Sequence, residues 1–63
     1  MLSEISKEIL RMMNGMEIWS QEYEGCVGVE GNKVIRDGKK VDTLNTNKKI
    51  DTLWNEYIEN EGI

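Results

Sequence analysis

Two two-residue links limit what this chain can fold into. Between Cys26 and Leu44 the sequence reads CVGVE-GN-KVIR-DG-KKVDTL, three short runs joined by Gly31-Asn32 and Asp37-Gly38. Such links supply the positive φ angles that tight hairpin turns need. The stretch therefore predicts a three-stranded antiparallel meander over 26–30, 33–36 and 39–43. The links also set a register: Glu30 opposite Lys33, Val29 opposite Val34, Val34 opposite Val41, and Lys33 opposite Asp42. Side chains alternate between the faces of a sheet. Val27, Val29, Val34 and Val41 are thus expected on the inner face, with Cys26, Gly28, Ile35, Lys40 and Asp42 on the wet one. A slip of one residue exchanges the two faces.

An amphipathic stripe precedes the meander. Leu2, Ile5, Ile9, Met12, Met16, Trp19 and Tyr23 follow one another at alternating intervals of 3 and 4, the spacing of one helix face. With Ser3 to cap the start and Gly25 to end it, this predicts one helix over 3–24, about 33 Å long. Asn14-Gly15 is a stop signal inside that stretch. A break there turns Glu17–Tyr23 (EIWSQEY) into a fourth strand. The sequence leaves both readings open; the single helix is preferred because a helical glycine costs only about 1 kcal/mol. Leu10 and Ile18 fall off the stripe, which makes them candidate apolar contacts for a partner or a second copy of the chain.

After the meander, Ile50, Leu53, Trp54, Tyr57 and Ile58 trace a second helical face. Thr46 or Asn47 can cap this helix and Gly62 can end it, which gives a span of 47–61. Trp54 and Tyr57, like Trp19 and Tyr23, are expected in the core. One segment echoes another: Lys39–Leu44 (KKVDTL) recurs as Lys48–Leu53 (KKIDTL), the first read as strand and the second as helix. The fold class is α+β, a helix, a three-stranded antiparallel meander and a helix. The two roughly parallel helices are expected on one face of the sheet, in a single small domain.

Composition narrows the chemistry. A chain of 63 residues holds one cysteine, no histidine and no proline, with a net charge of −4. An intramolecular disulfide is excluded and the usual zinc ligand sets cannot be assembled. Without histidine, neither Cys26 nor Ser3, Ser6 and Ser20 has the common activating base. Gly25, Gly28 and Gly31 fit no phosphate-loop spacing. The expectation is a protein that is not an enzyme and carries no cofactor or metal. The lone thiol suits a reducing cytoplasm, and the absence of a long apolar run argues against a membrane span or a signal peptide. A small domain with so thin a core also invites help from a second copy or a partner.

Charge placement points to a binding role. If the two helices are parallel, both C-termini lie at one end and both are acidic. Glu22, Glu24, Glu56, Glu59 and Glu61 then gather where the helix dipole disfavours them, with Arg36, Lys39 and Lys40 near the turn at the same end. A sequence chosen only for its own stability reverses such placements. The reading is a small acidic macromolecule-binding protein, of the phage or mobile-element accessory kind, that binds and inhibits or modulates a host protein through an acidic surface. The partner-binding candidates are those glutamates together with Leu10 and Ile18; a homodimer is the further case.

The order helix, three strands, helix, with Lys48 and Lys49 at the start of the second helix, resembles the double-stranded-RNA-binding domain. In that family lysines at this position grip phosphates. The resemblance implies an alternative function as a nucleic-acid-binding module using Lys48 and Lys49, and Lys7 joins them as a further candidate for that reading. The link Gly31-Asn32 is shorter than that family's loop, and the surrounding surface is acidic. The same topology is also similar to that of some small acidic phage inhibitors of CRISPR nucleases, which implies DNA mimicry.

Overall fold

The computed structural model describes residues 2–61. It is an α+β fold of two helices and one four-stranded antiparallel sheet. The order is α1 (Glu4–Met13), β1 (Glu17–Ser20), β2 (Gly25–Glu30), β3 (Lys33–Arg36), β4 (Lys39–Thr43) and α2 (Asn47–Asn60). The sheet follows chain order, β1-β2-β3-β4. Gly62, expected to end the second helix, lies outside the described residues.

The long first helix is not formed. Its start is as read: Ser3 caps it, its Oγ accepting from the Ser6 amide at 3.1 Å. It ends at Met13 because the next residues are bonded elsewhere. The Asn14 Oδ1 accepts from the Gly31 amide at 2.9 Å, and the Gly15 amide donates to the Val29 carbonyl at 3.1 Å. Gly15 holds φ +82°, which a helix does not allow and glycine adopts freely. The chain then turns into β1, paired with β2 through Glu17↔Gly28, Ile18↔Val27, Trp19↔Cys26 and Ser20↔Gly25. Ile18 and Ser20 face inward and are buried, whereas Glu17 and Trp19 are exposed. A period of 2 had been hidden under a run of 3 and 4.

The short helix also turns a different face to the core. Its buried residues are Ser6, Ile9 and Met13, with Leu2 and Leu10 packed beside them. Ile5, at 74% exposure, and Met12 lie outside. A helix that stops at Met13 need not keep Met16, Trp19 and Tyr23 in line, so its roll is set by its packing on α2 and β2.

The two hairpin links fall at the predicted places. Asp37 and Gly38 both have positive φ, as does Gly31. The β2–β3 register carries the expected pairs Val29↔Val34 and Glu30↔Lys33. On β4 the register holds for Arg36↔Lys39 and Ile35↔Lys40, then shifts by one at a bulge, giving Val34↔Asp42 and Lys33↔Thr43. Val41 is therefore left out of the inner row and is 42% exposed, while Asp42 turns inward and Leu44 fills the core. Val27, Val29 and Val34 are buried as expected, with Ile18, Ile50 and Leu53.

The helices cover one face of the sheet. Because β1 intervenes, α1 ends at the Gly31-Asn32 end of the sheet. The last turns of α2 lie at the opposite end, where the Asn60 Nδ2 donates to the Trp19 carbonyl at 2.9 Å. The expected arrangement, parallel helices with both C-termini together, is thus replaced by one with the C-termini at opposite ends.

Ile18 and Ile5 distinguish the two readings of the first 24 residues. Ile18→Ala should destabilise the fold by about 2–5 kcal/mol in urea unfolding, whereas Ile5→Ala should change it by no more than about 0.5 kcal/mol. Equal costs, or the reverse order, would contradict the four-stranded sheet.

Candidate partner-binding surfaces

The glutamates expected at one end do meet there, by another route. Glu22 and Glu24 occupy the loop between β1 and β2, and Glu56, Glu59 and Glu61 lie on or just after the last turns of α2. Two bonds join these segments. The Gln21 amide donates to the Glu56 Oε1 at 2.9 Å, and Asn60 reaches Trp19 as described. These bonds take up the Trp19 carbonyl and, just beyond β1, the Gln21 amide, which discourages strand addition at that part of the edge. Glu56 is half-buried, and its Oε2 is buried with no hydrogen-bond partner among the described residues. The other members are exposed. None of these glutamates makes an ion pair among the described residues, whose pairs are Lys7–Glu4, Arg11–Glu8 and Lys49–Asp42. The nearby Arg36 donates instead to the Tyr23 carbonyl at 2.6 Å. Glu24 holds φ +57°, a conformation that costs an L-residue with a Cβ roughly 1–2 kcal/mol.

A polar hub that the sequence does not reveal ties this end, through Tyr23, to the first turn of α2. The bulge on β4 points Asp42 toward the helices. Its Oδ2 accepts from the Tyr23 hydroxyl at 2.6 Å and the Lys49 Nζ at 2.8 Å, and its Oδ1 accepts from the Thr43 amide at 2.7 Å. The hub joins the β1–β2 loop, the edge strand and the first turn of α2. It also offsets the poor placement of Lys49 near the positive end of a helix dipole. The bonds from Lys49 first, then Tyr23 and Thr43, lower the Asp42 carboxyl from 3.8 to about 2. Burial, and then the bond to Asp42, push the Tyr23 phenol well above its ordinary 10.0.

The remaining candidates divide. Ile18 is 5% exposed and belongs to the core, so it offers a partner nothing. Leu10 is half-buried against the core and contributes to a shallow depression of about 240 Å³ with Lys7, Arg11, Asn14 and Gly31. Lys7 lies 3.5 Å from Glu4, Lys49 is held by Asp42, and Lys48 is exposed and in no ion pair among the described residues. The exposed apolar groups lie elsewhere. The face of the sheet away from the helices carries Trp19, 51% exposed, with Ile35 half-buried further along. A depression of about 360 Å³ opens beside Gly28, between Met16, Glu17 and Ile35. Only the β1 reading of EIWSQEY could have placed Trp19 there. Cys26 is exposed on the same face. Among the described residues no group of three or more Cys, Asp or Glu is placed to hold a metal ion, and no helix is long and apolar enough to cross a membrane.

The hub gives the fold a pH dependence of known sign. A carboxyl lowered to about 2 in the folded state contributes stability above its unfolded value of 3.8, and loses it as pH falls from there through about 2. Acid unfolding of Asp42→Asn should lack that component, so the stability difference between wild type and variant should shrink as the solution is acidified over this window. Tyr23 acts at the other extreme: with its folded value raised, its contribution is complete below pH 10.0 and is lost as pH rises beyond. Tyr23→Phe should flatten the alkaline limb of a pH–stability curve. Compared with protein-family models, with curated proteins and with solved structures, the chain matches none of them.

Proposed function

We propose that this protein acts by binding a basic surface on another protein through its acidic end. The observation that carries this reading is the convergence of Glu22, Glu24, Glu56, Glu59 and Glu61 from two separate segments, with no ion pair to any of them among the described residues. Such a cluster is unfavourable for an isolated fold. It opposes the dipole of α2, whose last turn holds no base. It also keeps a glutamate at φ +57°, where glycine or asparagine fits with less strain. A cationic partner turns the electrostatic term favourable. Trp19, exposed at the same end, supplies the kind of aromatic anchor that dominates interface energies, while the acids supply steering and salt dependence. The role proposed on this basis is that of a phage or mobile-element accessory protein acting in the cytoplasm, which inhibits or modulates a host protein by occupying its basic surface.

The lysine set supports nucleic-acid binding less well. Lys49 is held by Asp42 and Lys7 lies beside Glu4. Phosphate binding through these groups has to break existing pairs. The fourth strand also departs from the helix, three strands, helix order that suggested it.

Titration with an arginine-rich peptide, followed by tryptophan fluorescence, tests the proposal. Wild type should bind with an affinity that falls steeply as salt is added. The variant with Gln at positions 22, 24, 56, 59 and 61 should lose that binding. It should melt at the same temperature or higher, because Gln at position 56 keeps the Oε1 that accepts from Gln21 and removes a charge next to a buried, unpaired oxygen. Equal binding by wild type and variant would remove the acidic end from the mechanism. Preferential binding of duplex RNA or DNA, lost on Lys48→Glu, would favour the nucleic-acid reading instead.

A further inference from the structure

The open face of the sheet has a charge pattern with an internal symmetry. One row of cross-strand neighbours runs Glu17, Gly28, Ile35, Lys40 from β1 to β4. A second, nearer the Gly31-Asn32 turn, contains Glu30 on β2 and Lys33 on β3. Acids thus occupy the β1–β2 half of the face and bases the β3–β4 half. Glu17, Lys40, Glu30 and Lys33 are all exposed and make no ion pair among the described residues. Glu17 and Lys40 are three strand spacings apart, about 14 Å, so water and salt screen one from the other within the protomer. The apolar members complement each other too. Gly28 has no side chain, and the depression of about 360 Å³ opens over it. Beside it stands Ile35, a half-buried branched side chain. One half of the row is a hole and the other a knob.

We infer that this face is the interface of a symmetric dimer, occupied by the same face of a second copy of the chain. The symmetry operator follows from the row. A two-fold axis lying between the two sheets, parallel to the strands and passing between β2 and β3, exchanges β1 with β4 and β2 with β3. It sets Glu17 of each copy over Lys40 of the other, Glu30 over Lys33, and Ile35 over the depression at Gly28. Every charge named meets its opposite and the knob meets the hole, which is the self-complementarity an isologous interface needs. The aligned packing of two twisted sheets, with strands within about 30° of each other, is compatible with that axis. The dimer uses neither the acidic glutamates nor the Trp19 carbonyl and Gln21 amide that Asn60 and Glu56 already hold. It leaves the acidic glutamates exposed on each copy but takes in the face that carries Trp19, so a dimeric copy meets a basic partner with its acids and not with that ring; the dimer itself does not rest on the proposed function.

The symmetry makes a sharp test. Sedimentation equilibrium over a wide range of concentration should show the wild-type mass rising from one protomer to two. Glu17→Lys places lysine over lysine at both contacts of its homodimer, and Lys40→Glu places acid over acid; each variant alone should remain at the protomer mass. Mixed in equal amounts, the two should dimerise again, because each mixed pair has only opposite charges in contact. Ile35→Glu, which puts a third acid near Glu17 and Glu30 of the other copy, should stay a protomer whether alone or mixed. All three substitutions are on the open face, and circular dichroism and thermal melting should show them folded. A wild-type mass that stays at one protomer throughout overturns the inference and leaves the face to a different occupant. So does a dimer whose mass is unmoved by either charge change, or variants that fail to associate on mixing.

Discussion

Two hydrogen bonds at the end of α1 decide the architecture. The Gly31 amide donates to Asn14 Oδ1, and the Gly15 amide donates to the Val29 carbonyl. Each is worth only about 1 kcal/mol in net terms. Together they fix where the helix stops, and a strand of four residues follows. That strand reverses the end of the sheet at which α1 finishes, supplies Ile18 to the core and puts Trp19 on the open face. It also brings the loop 21–24 against the last turns of α2, which assembles the acidic end. Without the stop, the same residues form one long helix, and none of these placements exists.

The bulge on β4 works in the same way on a smaller scale. A one-residue shift in register exchanges inside for outside. Here it exposes Val41 and turns in Asp42. Losing the burial of a valine side chain gives up about 1.5–3 kcal/mol at most. Three hydrogen bonds to Asp42 and the burial of Leu44 are gained in return. The bulge twists an edge strand that already carries Lys39 and Lys40, two devices that discourage strand addition at a free edge. On the far side, Glu56 and Asn60 do the same for β1. With both edges guarded, the open face is the part of the sheet left to meet another molecule.

What could be read from the sequence follows from how local each determinant is. The hairpin links, the caps at Ser3 and Thr46, and the burial of Ile50 and Leu53 depend on a few adjacent residues, and they were legible. The segments KKVDTL and KKIDTL show the same rule from the other side. One follows a hairpin turn and is a strand; the other follows Thr46, whose Oγ1 accepts from the Lys49 amide at 3.3 Å, and is a helix. Their own composition cannot separate them. The end of α1 and the bulge depend on partners 17 and 7 residues away, namely Gly31 for Asn14 and Lys49 for Asp42. A periodic pattern has no access to such bonds. The stripe through Met12, Met16, Trp19 and Tyr23 was a coincidence of spacing that two distant contacts overrode. The same stripe sets Ile18 and Leu10 outside the core, and it gathers the glutamates at one end through a parallel-helix arrangement that the structure does not have.

The size of the chain then connects the fold to its surfaces. A domain this small has apolar side chains enough for one layer boundary, and here that boundary lies between the sheet and the two helices. The second face of a four-stranded sheet cannot be covered from within. Such a face must be made polar or be used. This one is neither uniformly polar nor a continuous apolar patch: it sets acids on one half, bases on the other, and an isoleucine beside a glycine between them. A purely solvating surface needs no order of this kind, since interspersed charges of both signs serve solubility equally well. The acidic end is the opposite case, a single sign gathered from two segments and held partly against the fold's own preference. The two surfaces therefore differ in the partner they suit. One is complementary to itself, and the other repels its own copy and attracts a cation.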